Sequence, residues 1–224
     1  MIAEQTETLN QAILRIQDHE FEVDQKEDWT ESPFLKWKTM SSDARGRVGE
    51  EVVVNVLARL LNLLTTILKI EWDGNKSIKF DGKYDIRLIL KAFQETLGLR
   101  IEVKTTTSGT IQMEPIYLKD EWDILIGLRV TQTTIGFIVL DKSRTSNNID
   151  QILVPEIKKH PLLGVGACLR DERSDGYKLD ISHTAIQKAI DNSLGFSYVF
   201  NETSESSLLH FFRDRLSVCS GIDL

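Results

Sequence analysis

The chain has 224 residues, of which 41% are hydrophobic and 27% charged, and a formal net charge of −7. That is the make-up of a globular protein able to bury a full core as one domain with appended elements. No apolar run reaches the roughly 18–20 residues needed to span a bilayer, and the N-terminus lacks the basic-then-apolar layout of a secretory leader, so a cytoplasmic protein is expected.

Neither cysteine, Cys168 or Cys219, has a Cys or His at metal-ligand spacing, which argues against a zinc module and for core or surface thiols. The acidity is local. Of the net −7, −6 falls between Asp18 and Glu31, where seven carboxylates face the single Lys26, leaving −1 for all other residues. A near-neutral body with basic patches remains able to hold a phosphate backbone.

In chain order, Leu9, Ala12, Ile13 and Ile16 at helical spacing predict an amphipathic helix over residues 4–20. The acidic stretch and Pro33 then interrupt it. Phe34-Leu35-Lys36-Trp37-Lys38 is an aromatic and basic segment, read as packing on the body. Ser41-Ser42-Asp43 offers N-cap residues for a long helix over 44–65. Strands are predicted at 67–72, 76–80, 85–90, 99–106, 122–130 and 134–140, several of them near-continuous apolar runs suited to burial on both faces. A helix is expected over 147–160, stopped by Pro161. A strand at 177–181, a helix over 182–194 capped by Ser182, and a final amphipathic helix over 204–216 complete the pattern. A helix, a run of strands, then helices mixed with a strand indicates an α/β domain with a mixed or mostly antiparallel central sheet.

Two stretches carry chemistry. Asp85 follows the turn-rich Asp81-Gly82-Lys83-Tyr84 and opens the alternation Ile86, Leu88, Leu90, which delivers a carboxylate to the end of a buried strand. Seventeen residues on, Glu102 and Lys104 share one face of their strand while Ile101 and Val103 take the other. Lys and Glu are rarely buried unless paired or bound. In the long helix, Val48, Val52, Val53, Val56, Leu57, Leu60 and Leu64 form one apolar arc, with Glu50 at its edge and Gly46 and Gly49 on the inward side. Glu50 either leans toward the sheet or completes an exposed face. Two carboxylates and an ammonium at adjacent strand ends suit phosphodiester hydrolysis, which calls for a hard divalent cation, oxygen ligands and an activated water.

Gly46-Arg47-Val48-Gly49-Glu50, Gly82-Lys83-Tyr84-Asp85-Ile86 and Ile101-Glu102-Val103-Lys104-Thr105 together resemble the PD-(D/E)XK nuclease superfamily, and within it type II restriction endonucleases. Tyr84 stands where that pattern often has Pro. The polar run Lys104–Gly109 and the following Gln112 add to the likeness, which covers residues 41–140. The resemblance implies a restriction-endonuclease-like core with a central mixed sheet flanked by helices, plus an N-terminal helix and C-terminal helical additions. It divides the chain into an N-terminal helix and acidic linker (1–40), a nuclease core (41–160) and a C-terminal α/β extension packed on the core (161–224). Asp85 and Glu102 would then bind Mg²⁺ with the Val103 carbonyl, Lys104 would orient the attacking water and offset developing charge, and Glu50 would hold a second ion or part of the water shell.

The activity so implied is Mg²⁺-dependent cleavage of double-stranded DNA at a specific site. The enzyme would act as a homodimer beside a cognate methyltransferase in a restriction-modification system. Thr105, Thr106, Thr107, Ser108 and Gln112 are candidates for base or phosphate contacts, as are the polar stretches 142–148 and 170–178. Two alternatives stand beside this reading. One is a cleavage subunit that takes its specificity from a partner subunit; the other is a non-catalytic nuclease-fold DNA-binding protein. No Walker loop is present, Gly164-Val165-Gly166 lacks the third glycine of a dinucleotide loop, and His19, His160, His183 and His210 are scattered along the chain.

Overall fold

A computed structural model describes residues 7–18, 29–74, 80, 84–92, 95–113, 122–141, 169–171 and 176–224. The helices are α1 (Leu9–Asp18), α2 (Leu35–Thr39), α3 (Ser42–Leu63), α4 (His183–Asp191) and α5 (Glu205–Ser220). The strands are β1 (Ile67–Trp72), β2 (Ile86–Ala92), β3 (Glu95–Thr106), β4 (Thr110–Met113), β5 (Ile124–Val130), β6 (Thr134–Asp141), β7 (Leu169–Asp171), β8 (Gly176–Asp180) and β9 (Gly195–Val199).

Six strands form one mixed sheet in the order β1-β2-β3-β5-β6-β9. β1, β2 and β3 are an antiparallel meander, β3 and β5 run parallel, and β6 and β9 continue antiparallel. β4, β8 and β7 make a separate three-stranded antiparallel sheet. The α/β class with a mixed, helix-flanked sheet is therefore as the sequence pattern predicts.

Helices cover both faces of the large sheet. On β6, Phe137 meets Phe212 of α5 edge to face at 5.4 Å, while its neighbour Gly136 faces Ile186 of α4. A Cβ on Gly136 would come within 2.2 Å of the Ile186 Cδ1, so only glycine lets α4 lie this close. Because side chains alternate along a strand, α5 and α4 sit on opposite faces. α1, α2 and α3 share the α5 side, where Val52, Val53, Val56 and Leu57 of α3 pack on Ile86, Leu88, Ile101 and Val103. Such fully buried aliphatic side chains contribute roughly 1.5–3 kcal/mol each. Double-sided burial explains why β5 and β6 read as unbroken apolar runs.

For α3 and α4 the caps are those the sequence offers, and at α5 Ser204 is the cap and not the first helical residue. Ser41, Ser182 and Ser204 each accept a backbone N–H from the first turn of α3, α4 and α5, a contact that stabilises a helix by about 1 kcal/mol. Phe34 and Trp37 are fully buried, and the Trp37 Nε1 donates to the Arg45 carbonyl at 3.1 Å, so the aromatic and basic segment packs on the body. Arg59 links three helices, donating to Glu205 at 3.1 Å and to the Glu7 carbonyl at 2.9 Å, while Glu205 accepts the Leu9 N–H.

Several boundaries differ from the sequence reading. β3 begins four residues earlier than expected, because Glu95–Leu99 is held as a ladder to Leu88–Ala92 of β2. α4 ends at Asp191, so 192–194 is a turn into β9. β9 itself, and the short β4 and β7, are not foreseen. The strand predicted at 76–80 falls, except for Phe80, outside the described residues; the helix predicted over 147–160, the segment 142–148, Cys168, His19 and His160 lie entirely outside them. No helix among the described residues is long and apolar enough to cross a membrane.

Candidate functional site

The site is a notch in the sheet. β2 begins only at Ile86, opposite Ile101 of β3, whereas β3 runs on to Thr106 with β5 as its partner on the other side. Beyond Ile101 the β2-facing side of β3 has no ladder neighbour among the described residues. Asp85 stands at the corner. Its N–H continues the ladder by donating to the Ile101 carbonyl at 3.0 Å, and its Oδ2 accepts the Val103 N–H at 2.7 Å. A residue's N–H and C=O point to the same side of a strand, so the Val103 carbonyl also faces the notch.

Tyr84 sets the approach to Asp85 by stacking on Phe80, with ring centroids 4.5 Å apart. α3 forms the wall. Its Gly49 lies against Thr105, and a Cβ there would sit 1.8 Å from the Thr105 Oγ1, so glycine is what lets the helix approach β3. The next residue, Glu50, is thereby brought to the notch, where its Oε2 accepts the Trp72 Nε1–H from β1 at 3.0 Å. Glu50 is thus the inward-leaning residue of the two possibilities that the helical pattern left open.

A cavity of about 800 Å³ fills the notch, lined by Arg45, Arg47, Glu50, Asp85, Val103 and Lys104 among others. Burial, then the negative charges of Glu102 and Glu50, push the Asp85 carboxyl up to about 8, against a smaller opposing pull from Lys104 and the Val103 N–H. Glu102 is only 2% exposed and is ion-paired with Lys104. It is not among the residues that line the cavity, whereas Asp85, Glu50, Lys104 and Val103 are.

The polar segment after the motif divides. The Thr105 Oγ1 is buried against α3. Thr107 accepts from Lys38 Nζ at 3.3 Å and Arg45 NH1 at 2.7 Å. Thr106 and Ser108 share a hydroxyl contact at 2.8 Å at the cavity rim. Gln112 lies on β4 of the small sheet, opposite Lys178. Arg45 and Arg47, which bring positive charge to the cavity mouth, were not singled out from the sequence. Their only signal is their place in the turns just before Gly49-Glu50.

The donor set suits a hard divalent cation. The ligands available are carboxylate and carbonyl oxygens, and mutual repulsion among Asp85, Glu102 and Glu50 is what a bound cation relieves. Among the described residues no three Asp, Glu, His or Cys side chains converge on one ion position. Comparison with protein-family models gave no match to this chain, and none was found among curated proteins.

Proposed function

We propose that the protein is a Mg²⁺-dependent endonuclease of the PD-(D/E)XK kind, with a restriction-endonuclease-like core, that hydrolyses double-stranded DNA at specific sites as a type II restriction enzyme does. The observation that carries this is the notch itself. Asp85, Glu50, Lys104 and the Val103 carbonyl line one cavity with Arg45 and Arg47 at its mouth, and Asp85 is held there by the Val103 N–H.

Asp85, Glu50 and the Val103 carbonyl would hold Mg²⁺, with Glu102 joining if Lys104 swings aside. The cation supplies Lewis-acid polarisation of the phosphate and lowers the pKa of water. Lys104 keeps an ammonium at the strand position next to Val103, where it orients the nucleophile and offsets charge that develops on the phosphate. Arg45 and Arg47 offer guanidinium forks for the flanking phosphates. One such site cuts one strand, so cutting both strands of a palindrome calls for a homodimer whose two-fold axis matches the DNA. A cognate methyltransferase would protect host sites.

The net charge of −7 favours, as a second reading, a cleavage subunit that relies on a partner for its grip on DNA. The test is incubation of the purified protein with phage DNA with and without Mg²⁺, beside Lys104→Ala and Asp85→Asn. Discrete metal-dependent fragments that vanish in both variants are expected. Cleavage that appears only with an added partner supports the second reading, and unchanged cutting by either variant overturns the site.

A further inference from the structure

A second cavity, of about 690 Å³, opens around the start of β9, between the end of α4 and α5. β9 is an edge strand of the large sheet, and β5 and β6 separate it from β3, so this cavity is remote from the notch. On α5, Ser207, Phe211 and Arg215 recur at four-residue intervals and line it from one helix face. Phe196 of β9 lies across from them, its ring stacked on Phe211 with centroids 5.4 Å apart and planes inclined by 29°. Ser193, in a left-handed conformation with φ of 58°, completes the rim at the α4–β9 turn.

Arg215 is the anomaly. It is 6% exposed, yet among the described residues the groups it donates to carry no negative charge. Its NH2 donates to the Val139 carbonyl at 3.3 Å and makes a long contact to the Cys219 Sγ at 3.9 Å, and its buried Nε has no hydrogen-bond partner among the described residues. A guanidinium remains charged at any working pH, and a buried cation with part of its fork unsatisfied is costly. The acidic side chain on the same cavity, Asp214, is engaged by His210 Nε2 at 3.2 Å and Arg213 NH2 at 3.0 Å on the exposed side of α5.

A guanidinium with an unfilled donor, aromatic rings beside it and hydroxyls at the rim call for an anion attached to a flat ring. The oxyanion would meet the planar fork, and the ring would extend the Phe196–Phe211 stack. The volume lies within the range of small-molecule sites, about 300–1,000 Å³.

We propose that this cavity binds a flat-ringed small molecule bearing a phosphate or carboxylate, of the size of a nucleoside monophosphate, with Arg215 holding the oxyanion and Phe211 and Phe196 the ring. The site is distinct from the notch and does not depend on the nuclease reading.

The test is calorimetric titration of the whole protein with adenosine 5′-monophosphate and with 4-hydroxybenzoate, one arm for each oxyanion. Binding of either is expected, at an affinity unchanged in Asp85→Asn. Arg215→Lys, which keeps the charge but not the fork, and Phe211→Leu should each weaken it about tenfold or more. Ser207→Trp, at an exposed helix position that tolerates substitution, should block it by filling the cavity. The proposal is overturned if neither probe binds, or if adenosine or inorganic phosphate binds as tightly as the monophosphate. Full affinity in Arg215→Lys or Ser207→Trp, or loss of binding in Asp85→Asn, overturns it equally.

Discussion

Asp85 is where the needs of the site and the stability of the fold oppose each other, and Asp85→Asn separates the two. The carboxyl is pushed up to about 8 by burial and by the charges of Glu102 and Glu50, from an unfolded value near 4. Between those two pH values the folded chain holds a proton that the unfolded chain has released. The contribution of Asp85 to stability is therefore full below about pH 4 and is lost as pH rises through about 8. The whole rise sets a ceiling of roughly 5–6 kcal/mol. Side-chain relaxation and water entering the cavity that Asp85 lines bring the expected loss to about 1–3 kcal/mol.

Asparagine keeps the shape and leaves an oxygen to accept the Val103 N–H, but has no charge to bury at any pH. Urea unfolding at about pH 4 and about pH 9 without divalent cations should show the wild type losing about 1–3 kcal/mol more than the variant over that interval. At the higher pH, Asp85→Asn should be the more stable protein. Other groups titrate alike in both proteins, so the difference between the slopes isolates Asp85. Mg²⁺ at about a hundred times its dissociation constant should restore about 2.7 kcal/mol to the wild type and little to the variant. Equal slopes, or a variant less stable at the higher pH, would refute the claim that Asp85 is a buried carboxyl pressed by like charges.

Gly49→Ala should destabilise the fold by about 1–3 kcal/mol, because its methyl would meet the Thr105 Oγ1. Thr105→Ala in the same chain should recover part of that loss, and additive losses in a double-mutant cycle would show that the two do not touch. Lys104→Ala removes the cation paired with the buried Glu102 and should cost about 2–3 kcal/mol in urea unfolding, toward the low end for a buried pair because Lys104 is partly exposed. A smaller loss would mean that Glu102 is neutralised by other means. Trp72→Phe keeps an aromatic ring beside Gly74 but deletes the hydrogen bond to Glu50. The Mg²⁺ concentration for half-maximal cleavage should rise about tenfold or more, while unfolding shifts by only about 1 kcal/mol. An unchanged Mg²⁺ requirement would remove Glu50 from the ion's surroundings.

What was legible in the sequence follows a physical division. Period and capping are local, so the limits of β1, the Ser41 and Ser182 caps and the double-sided burial of β5 and β6 could be read from neighbouring residues. β9 could not. Gly195-Phe196-Ser197-Tyr198-Val199 is short and interrupted by Gly and Ser, and it becomes a strand because Thr134–Ile138 of β6 offers it an edge. β4 is likewise made by a partner distant in sequence, β8, and β7 by the neighbouring β8.

The same division runs through the site. Spacing along β3 puts Glu102 and Lys104 on one face, but not which of them meets a ligand. That depends on β2 stopping at Ile86, which opens the notch on the side of Val103 and leaves Glu102 off the cavity lining. Arg45 and Arg47 are ordinary helix-surface residues until Gly49 draws their end of α3 against Thr105. Glycine at that position therefore does more than permit packing. It fixes how far Glu50 and the two arginines reach over the notch, so a methyl at residue 49 should impair metal-dependent cleavage beyond its effect on stability. If Gly49→Ala lowers cleavage only in proportion to the folded fraction, the helix position does not set the site and the wall of the notch lies elsewhere.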